Sequence, residues 1–153
     1  MKNISKTLAL MAFLVSFNVL AVKDSESTIL LSKDKQNLVL DFLNADSVIG
    51  MQFDLKGVNK DSINLKNCLT GLPKSHMGKC AFVKNGNLRV LIFSTTNAIL
   101  DSGNIGTLNI SGVMNNISFE KVIMVGPKSK KVNANTLVDI DFDLKRFKHE
   151  KLQ

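Results

Sequence analysis

Beyond residue 21, no stretch of this chain keeps apolar side chains at helical spacing over three turns. The apolar residues come in short runs, continuous or alternating, each bordered by turn-forming residues. Alternation sends successive side chains to opposite faces of a strand, which excludes a helical bundle. Thr28 to Leu31 and Leu38 to Leu43 are compact apolar runs. Val48 to Leu55 alternates, with Met51, Phe53 and Leu55 set against Gln52 and Asp54. Ile63 to Leu65 is a shorter run, and Ile105 to Ser111 and Ile117 to Val125 are longer ones. Thr136 to Leu144 sets Val138, Ile140, Phe142 and Leu144 against Asp139, Asp141 and Asp143. The clearest turn lies between Cys80–Val83 and Leu88–Phe93. There, Lys84-Asn85-Gly86-Asn87 contains the Asn-Gly pair that supplies the positive φ angles of a tight hairpin. Further turn chemistry stands at Gly57, Leu72-Pro73, Ser102-Gly103-Asn104, Gly112, Asn115-Asn116 and Gly126-Pro127. About nine short strands at this spacing predict an all-β fold, a two-sheet sandwich or jelly roll.

The first residues have a different character. A basic start with Lys2 and Lys6 precedes an apolar run from Leu8 to Ala21, broken by Ser16 and Asn18. This is the anatomy of a secretory signal peptide, 1–21, cut after Ala21. The run is shorter than the roughly 20 apolar residues a spanning helix needs, and no later segment reaches that length. No membrane span is expected. Residues 22–153 form one domain's worth of chain, ending in a basic tail, 145–153. The expected location is secreted or periplasmic.

In such a compartment the two cysteines, Cys68 and Cys80, are expected to form a disulfide. It would close a short loop, worth about 3 kcal/mol in the chain-entropy picture. With only His76 and His149 beside them, the cysteines lack the spacing of a structural zinc site. The formal charge of +7 comes from scattered lysines, clustered only at Lys128-Ser129-Lys130-Lys131 and in the tail. Aromatic residues do not interleave with them, so no nucleic-acid stacking surface is expected.

The chemistry of catalysis is not apparent. A nucleophile needs an adjacent base. His76, placed in a loop after Pro73, and His149, in the tail, have no visible partners. Asp139, Asp141 and Asp143 invite a calcium reading. Alternate residues on a strand stand about 6.8 Å apart, whereas calcium takes oxygens at about 2.3–2.6 Å. They read instead as a solvated strand face. No catalytic residue, metal or cofactor is expected. Sugar-binding platforms are usually aromatic, and the chain has no Trp or Tyr. Phe93 and Phe147 are the phenylalanines that could be exposed. Asn109-Ile110-Ser111 and Asn116-Ile117-Ser118 match the short glycosylation acceptor pattern.

Two stretches carry a family resemblance. Val48-Ile49-Gly50-Met51-Gln52-Phe53-Asp54-Leu55 resembles a strand of the cohesin-domain family. Leu88-Arg89-Val90-Leu91-Ile92-Phe93-Ser94, followed by Ile99, Gly103 and Gly106-Thr107-Leu108-Asn109-Ile110, resembles that family's central strand, its loop and the next strand. The resemblance is strongest over residues 28–125. It implies a nine-stranded, cohesin-like jelly-roll sandwich related to carbohydrate-binding modules. It also implies a binding role without catalysis. Cohesins hold dockerins, small modules attached to polysaccharide-degrading enzymes, across one sheet face. The implied outward positions here are Val48, Gly50, Gln52 and Asp54 on one strand, and Arg89, Leu91 and Phe93 on the other.

Parity supports the same face. Arg89 is costly to bury unpaired, so it should point outward, carrying Leu91 and Phe93 with it. Gln52 and Asp54 point outward opposite Met51, Phe53 and Leu55. The expected partner-binding face is therefore Gln52, Asp54, Arg89, Leu91 and Phe93. The expected function is a non-catalytic module holding a protein partner, dockerin-like or other, in an extracellular or envelope assembly linked to polysaccharide degradation. The alternative is direct binding of carbohydrate or a surface polymer.

Overall fold

The computed structural model describes residues 26–111 and 116–139. The alternating runs become ten strands: β1 (Ser27–Asp34), β2 (Asn37–Leu43), β3 (Gly50–Lys56), β4 (Leu69–Thr70), β5 (His76–Phe82), β6 (Leu88–Ser94), β7 (Gly103–Leu108), β8 (Ser118–Val125), β9 (Lys131–Val132) and β10 (Ala134–Asp139). The helical pieces among the described residues are single 3₁₀ turns. No described helix is long and apolar enough to cross a membrane.

The strands form two five-stranded sheets, ordered β10-β1-β2-β7-β4 and β5-β6-β3-β8-β9. The expected all-β sandwich is what the chain builds. Period-2 patterning closes the core: Ile29, Leu31, Leu38 and Leu40 from the first sheet meet Met51, Phe53, Leu55, Val90 and Ile92 from the second, all buried. Phe53 also receives Phe119 edge-on, with centroids 5.2 Å apart. Each such side chain contributes roughly 1.5–3 kcal/mol by leaving water. Within each sheet the pairing is antiparallel, except where β10 runs parallel to β1, from Ser27↔Ala134 to Ser32↔Asp139.

The Cys68–Cys80 disulfide is present, with Cα atoms 6.3 Å apart. Cys68 precedes β4, at the edge of the first sheet, and Cys80 lies in β5, at the edge of the second. The bond therefore staples one open side of the sandwich across both layers.

Several local expectations are corrected. The β5–β6 hairpin forms, but only Gly86 takes positive φ, at 85°. The Gly86 N–H donates to the Val83 carbonyl at 2.9 Å, and Val83 N–H donates to the Asn87 carbonyl at 3.0 Å. This is a turn closed by a left-handed glycine, in which Asn85 keeps an ordinary conformation. Ile63 makes a single bridge to Ile110 rather than a strand. His76 is not a loop residue: it opens β5 and is buried. Val48 does not face outward. It lies before β3, fully buried, with its carbonyl accepting from Leu100 N–H at 2.7 Å. The signal peptide, Asp141, Asp143, Phe147, His149 and the tail lie outside the described residues.

Candidate binding face

β3 and β6 pair antiparallel in the register Gly50↔Phe93, Gln52↔Leu91 and Asp54↔Arg89. Directly opposed residues share a face. The five residues expected together, Gln52, Asp54, Arg89, Leu91 and Phe93, thus lie on one side of the second sheet. That side is the one turned away from the core.

The neighbouring strands extend this face. From β5, Met77 pairs with Phe93 and Lys79 with Leu91. From β8, Val125 pairs with Gly50 and Ile123 with Gln52. A row Met77–Phe93–Gly50–Val125 therefore crosses the sheet, next to a second row Lys79–Leu91–Gln52–Ile123. Met77 is 51% exposed and Ile123 43%. Leu91, Phe93 and Val125 are half-buried by their neighbours. Gly50 puts no side chain into the first row, and an added Cβ there would come within 3.2 Å of the Ile92 carbonyl oxygen. The result is a shallow apolar groove of about 290 Å³, lined by Leu91, Phe93, Ile123, Val125 and the β3 backbone at Gly50.

Ile123 reaches this face because of a bulge. Gln52 pairs with Ile123 but Asp54 pairs with Glu120, so one extra residue of β8 is accommodated. Lys121 takes positive φ, 50°, and the alternation inverts. Phe119 packs into the core while Ile123, four residues on, points out. Met77 and Ile123 were not part of the expected face. Strict alternation from Phe119 hides Ile123, and Gly78 interrupts the pattern that would have identified β5 as far back as His76.

At the other end of the face lies an ion pair. Arg89 Nε donates to Asp54 Oδ1 at 2.7 Å and Nη2 donates to Oδ2 at 2.9 Å. Asp54 is on the expected side of β3 but is not exposed: its side chain is 0% accessible while that of Arg89 is 35%. The Asp54 carboxylate, hydrogen-bonding through both oxygens, holds the guanidinium more firmly protonated than usual. Next to it, Asn87 Nδ2 donates to Glu120 Oε2 at 2.6 Å.

The buried His76 sits at the edge of this region, paired with Ser94. Its Nδ1 lies 3.0 Å from Ser75 Oγ, and its Nε2 makes no well-formed hydrogen bond among the described residues. Burial lowers its pKa. The carbonyls of Ile49 and Ala98 and the charge of Asp101 oppose the shift without reversing it. No three His, Cys, Asp or Glu side chains converge as a metal site among the described residues.

Comparison with known proteins places this architecture. The cohesin module of a family 33 glycoside hydrolase from Clostridium perfringens superimposes with a TM-score of 0.52 at 15% identity, over 76% of this chain and 97% of that one. The fold is cohesin-like. A non-cellulosomal cohesin from the archaeon Archaeoglobus fulgidus gives a TM-score of 0.50 at 15% identity, covering 84% of this chain and all of its own. A type I cohesin–dockerin complex from Clostridium thermocellum gives 0.53 at 11% identity, over 76% and 95%. No family model matches the sequence, and no curated protein does. The cohesin-like likeness is thus one of backbone architecture, carried by few shared residues.

Proposed function

We propose that this chain is an exported, non-catalytic module that holds a protein partner on the outer face of the β5-β6-β3-β8-β9 sheet. The observation that carries the reading is the apolar groove formed by Leu91, Phe93, Ile123 and Val125 on that face. Contiguous apolar surface of this kind, uncovered by the described residues, marks interaction sites. Aromatic and arginine side chains are typical binding anchors, and Phe93 and Arg89 both stand on this face. The cohesin-like architecture supports a protein partner, since one solved neighbour is a cohesin–dockerin complex. The disulfide supports export, because such bonds persist in oxidising compartments.

The test is affinity capture from the native culture medium, comparing wild type with Leu91→Asp and Ile123→Asp. A partner retained by wild type and lost with both variants, at unchanged thermal stability, supports the reading. Ile123 is the more exposed position and guards against a folding defect at Leu91. Retention on polysaccharide resin that neither variant alters, with no protein partner, would transfer the function to direct carbohydrate binding. Intact mass of exported protein should place its N-terminus at or close to Val22; a chain that stays in the membrane with residues 1–21 attached would remove the export claim.

A further inference from the structure

The charges on the candidate face are one-sided. Lys79 in β5, Lys121 in the β8 bulge and Lys131 in β9 are all exposed, as is Lys84 in the adjoining turn. None makes an ion pair among the described residues, where the pairs are Arg89–Asp54 and Lys130–Asp46. The two carboxylates of the face are both engaged: Asp54 lies beneath Arg89, and Glu120 accepts from Asn87.

The positive charge is also gathered at one place. Phe82, Val83, Lys84, Asn85, Arg89 and Lys121 line an open hollow of about 450 Å³. Asp54 takes Nε and Nη2 of Arg89. Its Nη1 is left without an acceptor among the described residues. The hollow lies along β6 from the apolar groove. Arg89 borders the one and Phe93 the other. Four residues of strand separate them by about 13 Å.

We infer that the partner is an acidic polypeptide: it seats apolar side chains in the Leu91–Phe93–Ile123 groove and places an Asp or Glu in the Lys84–Arg89–Lys121 hollow. This inference rests on the proposed protein-binding role and adds the partner's chemistry to it. A lysine-rich partner would meet uncompensated positive charge across the whole face, and like charges brought together without screening oppose association. An incoming carboxylate would instead gain Arg89 Nη1 and the two lysines. On a partner helix, rising about 1.5 Å per residue with about 3.6 residues per turn, apolar anchor and acid would stand about seven or eight residues apart, two turns along one face.

The test uses a display library of small helical scaffolds with one randomised face, selected against the whole chain. Binders that lose affinity for Leu91→Asp or Ile123→Asp are sequenced. Among them, Asp and Glu should outnumber Lys and Arg. Lys84→Glu/Lys121→Glu, whose side chains are exposed, should weaken these binders by about tenfold and select basic binders in their place. Raising salt from about 0.05 to about 0.5 M should weaken the wild-type complexes more than those of the double variant. Groove-dependent binders without acidic enrichment, unaffected by the double variant, would overturn the inference and leave the protein-binding role standing. The absence of any groove-dependent binder would overturn both. Binding of heparin or polygalacturonate that needs Lys84 and Lys121 but neither Leu91 nor Ile123 would also overturn it, making the hollow an anionic-polymer site.

Discussion

Asp54 lies wholly beneath Arg89, its two oxygens held at 2.7 and 2.9 Å by one guanidinium. A carboxylate so covered depends on its partner far more than an exposed one does. Arg89→Met should therefore lower Tm substantially, on the order of 10 °C, because it strands a covered charge. Arg89→Met/Asp54→Leu should recover most of that loss. A thermal-melt series of the four proteins checks this. Equal destabilisation by single and double variants would show that packing, and not charge, sets the effect.

The disulfide ties the two sheets at their β4 and β5 edges. Removing it as Cys68→Ala/Cys80→Ala should cost about 3 kcal/mol in urea unfolding. Alkylation of oxidised protein without reductant should label neither residue. Because β5 also flanks the groove, the double variant should weaken partner capture, as judged by the affinity experiment above.

Two glycines with nearly equal φ make a matched pair. Gly57 is at 89° and Gly86 at 85°. A Cβ at Gly57 would lie 2.7 Å from the Asn116 carbonyl oxygen, whereas one at Gly86 meets nothing within 4 Å. Gly86→Ala should cost about 1 kcal/mol, the conformational cost alone. Gly57→Ala should cost about 2–3 kcal/mol, because the backbone must also move. Chemical denaturation of both variants decides whether the contact adds to the angle.

His76 gives the fold a pH dependence of definite sign. Its pKa is lowered by burial in the folded chain, so the unfolded chain takes up the proton first. The stability that rests on a neutral His76 is whole above the unfolded pKa of about 6.5 and is lost as pH falls from there towards the lower folded value. His76→Phe should flatten the stability profile between about pH 7 and pH 5. A profile equally steep in that variant would assign the dependence to other groups.

Much of the face was legible because Arg89 is a strong parity marker. A strand residue that resists burial fixes the direction of its alternate neighbours, and Leu91 and Phe93 followed it. The core followed from the same alternation. The Asp54–Arg89 pair was not legible, since it depends on the register between two strands with two 3₁₀ turns, β4 and β5 between them in sequence. Ile123 was hidden by the bulge at Lys121, a residue with no turn signature to announce it. His76 escaped because Pro73 and Gly78 look like loop chemistry. In the structure, Gly78 is a strand position crowded by Leu69 and Leu72, where a Cβ would come within 2.5 and 2.7 Å of their methyl carbons. The two-residue strands β4 and β9 are too short to show any period.

The parallel ladder between β1 and β10 has a kinetic consequence. β1 meets β2 at once, through a tight turn after Asp34, but its other edge waits for residues 134–139. Joining them closes a loop of roughly a hundred residues, a slow, entropy-limited step in any β-rich chain. Until then a nascent chain carries Ser27 to Asp34 as an open template for strand pairing, and two such chains can satisfy each other before either satisfies itself. Refolding yield should therefore fall as protein concentration rises, with the loss concentrated in chains that have not yet acquired β10.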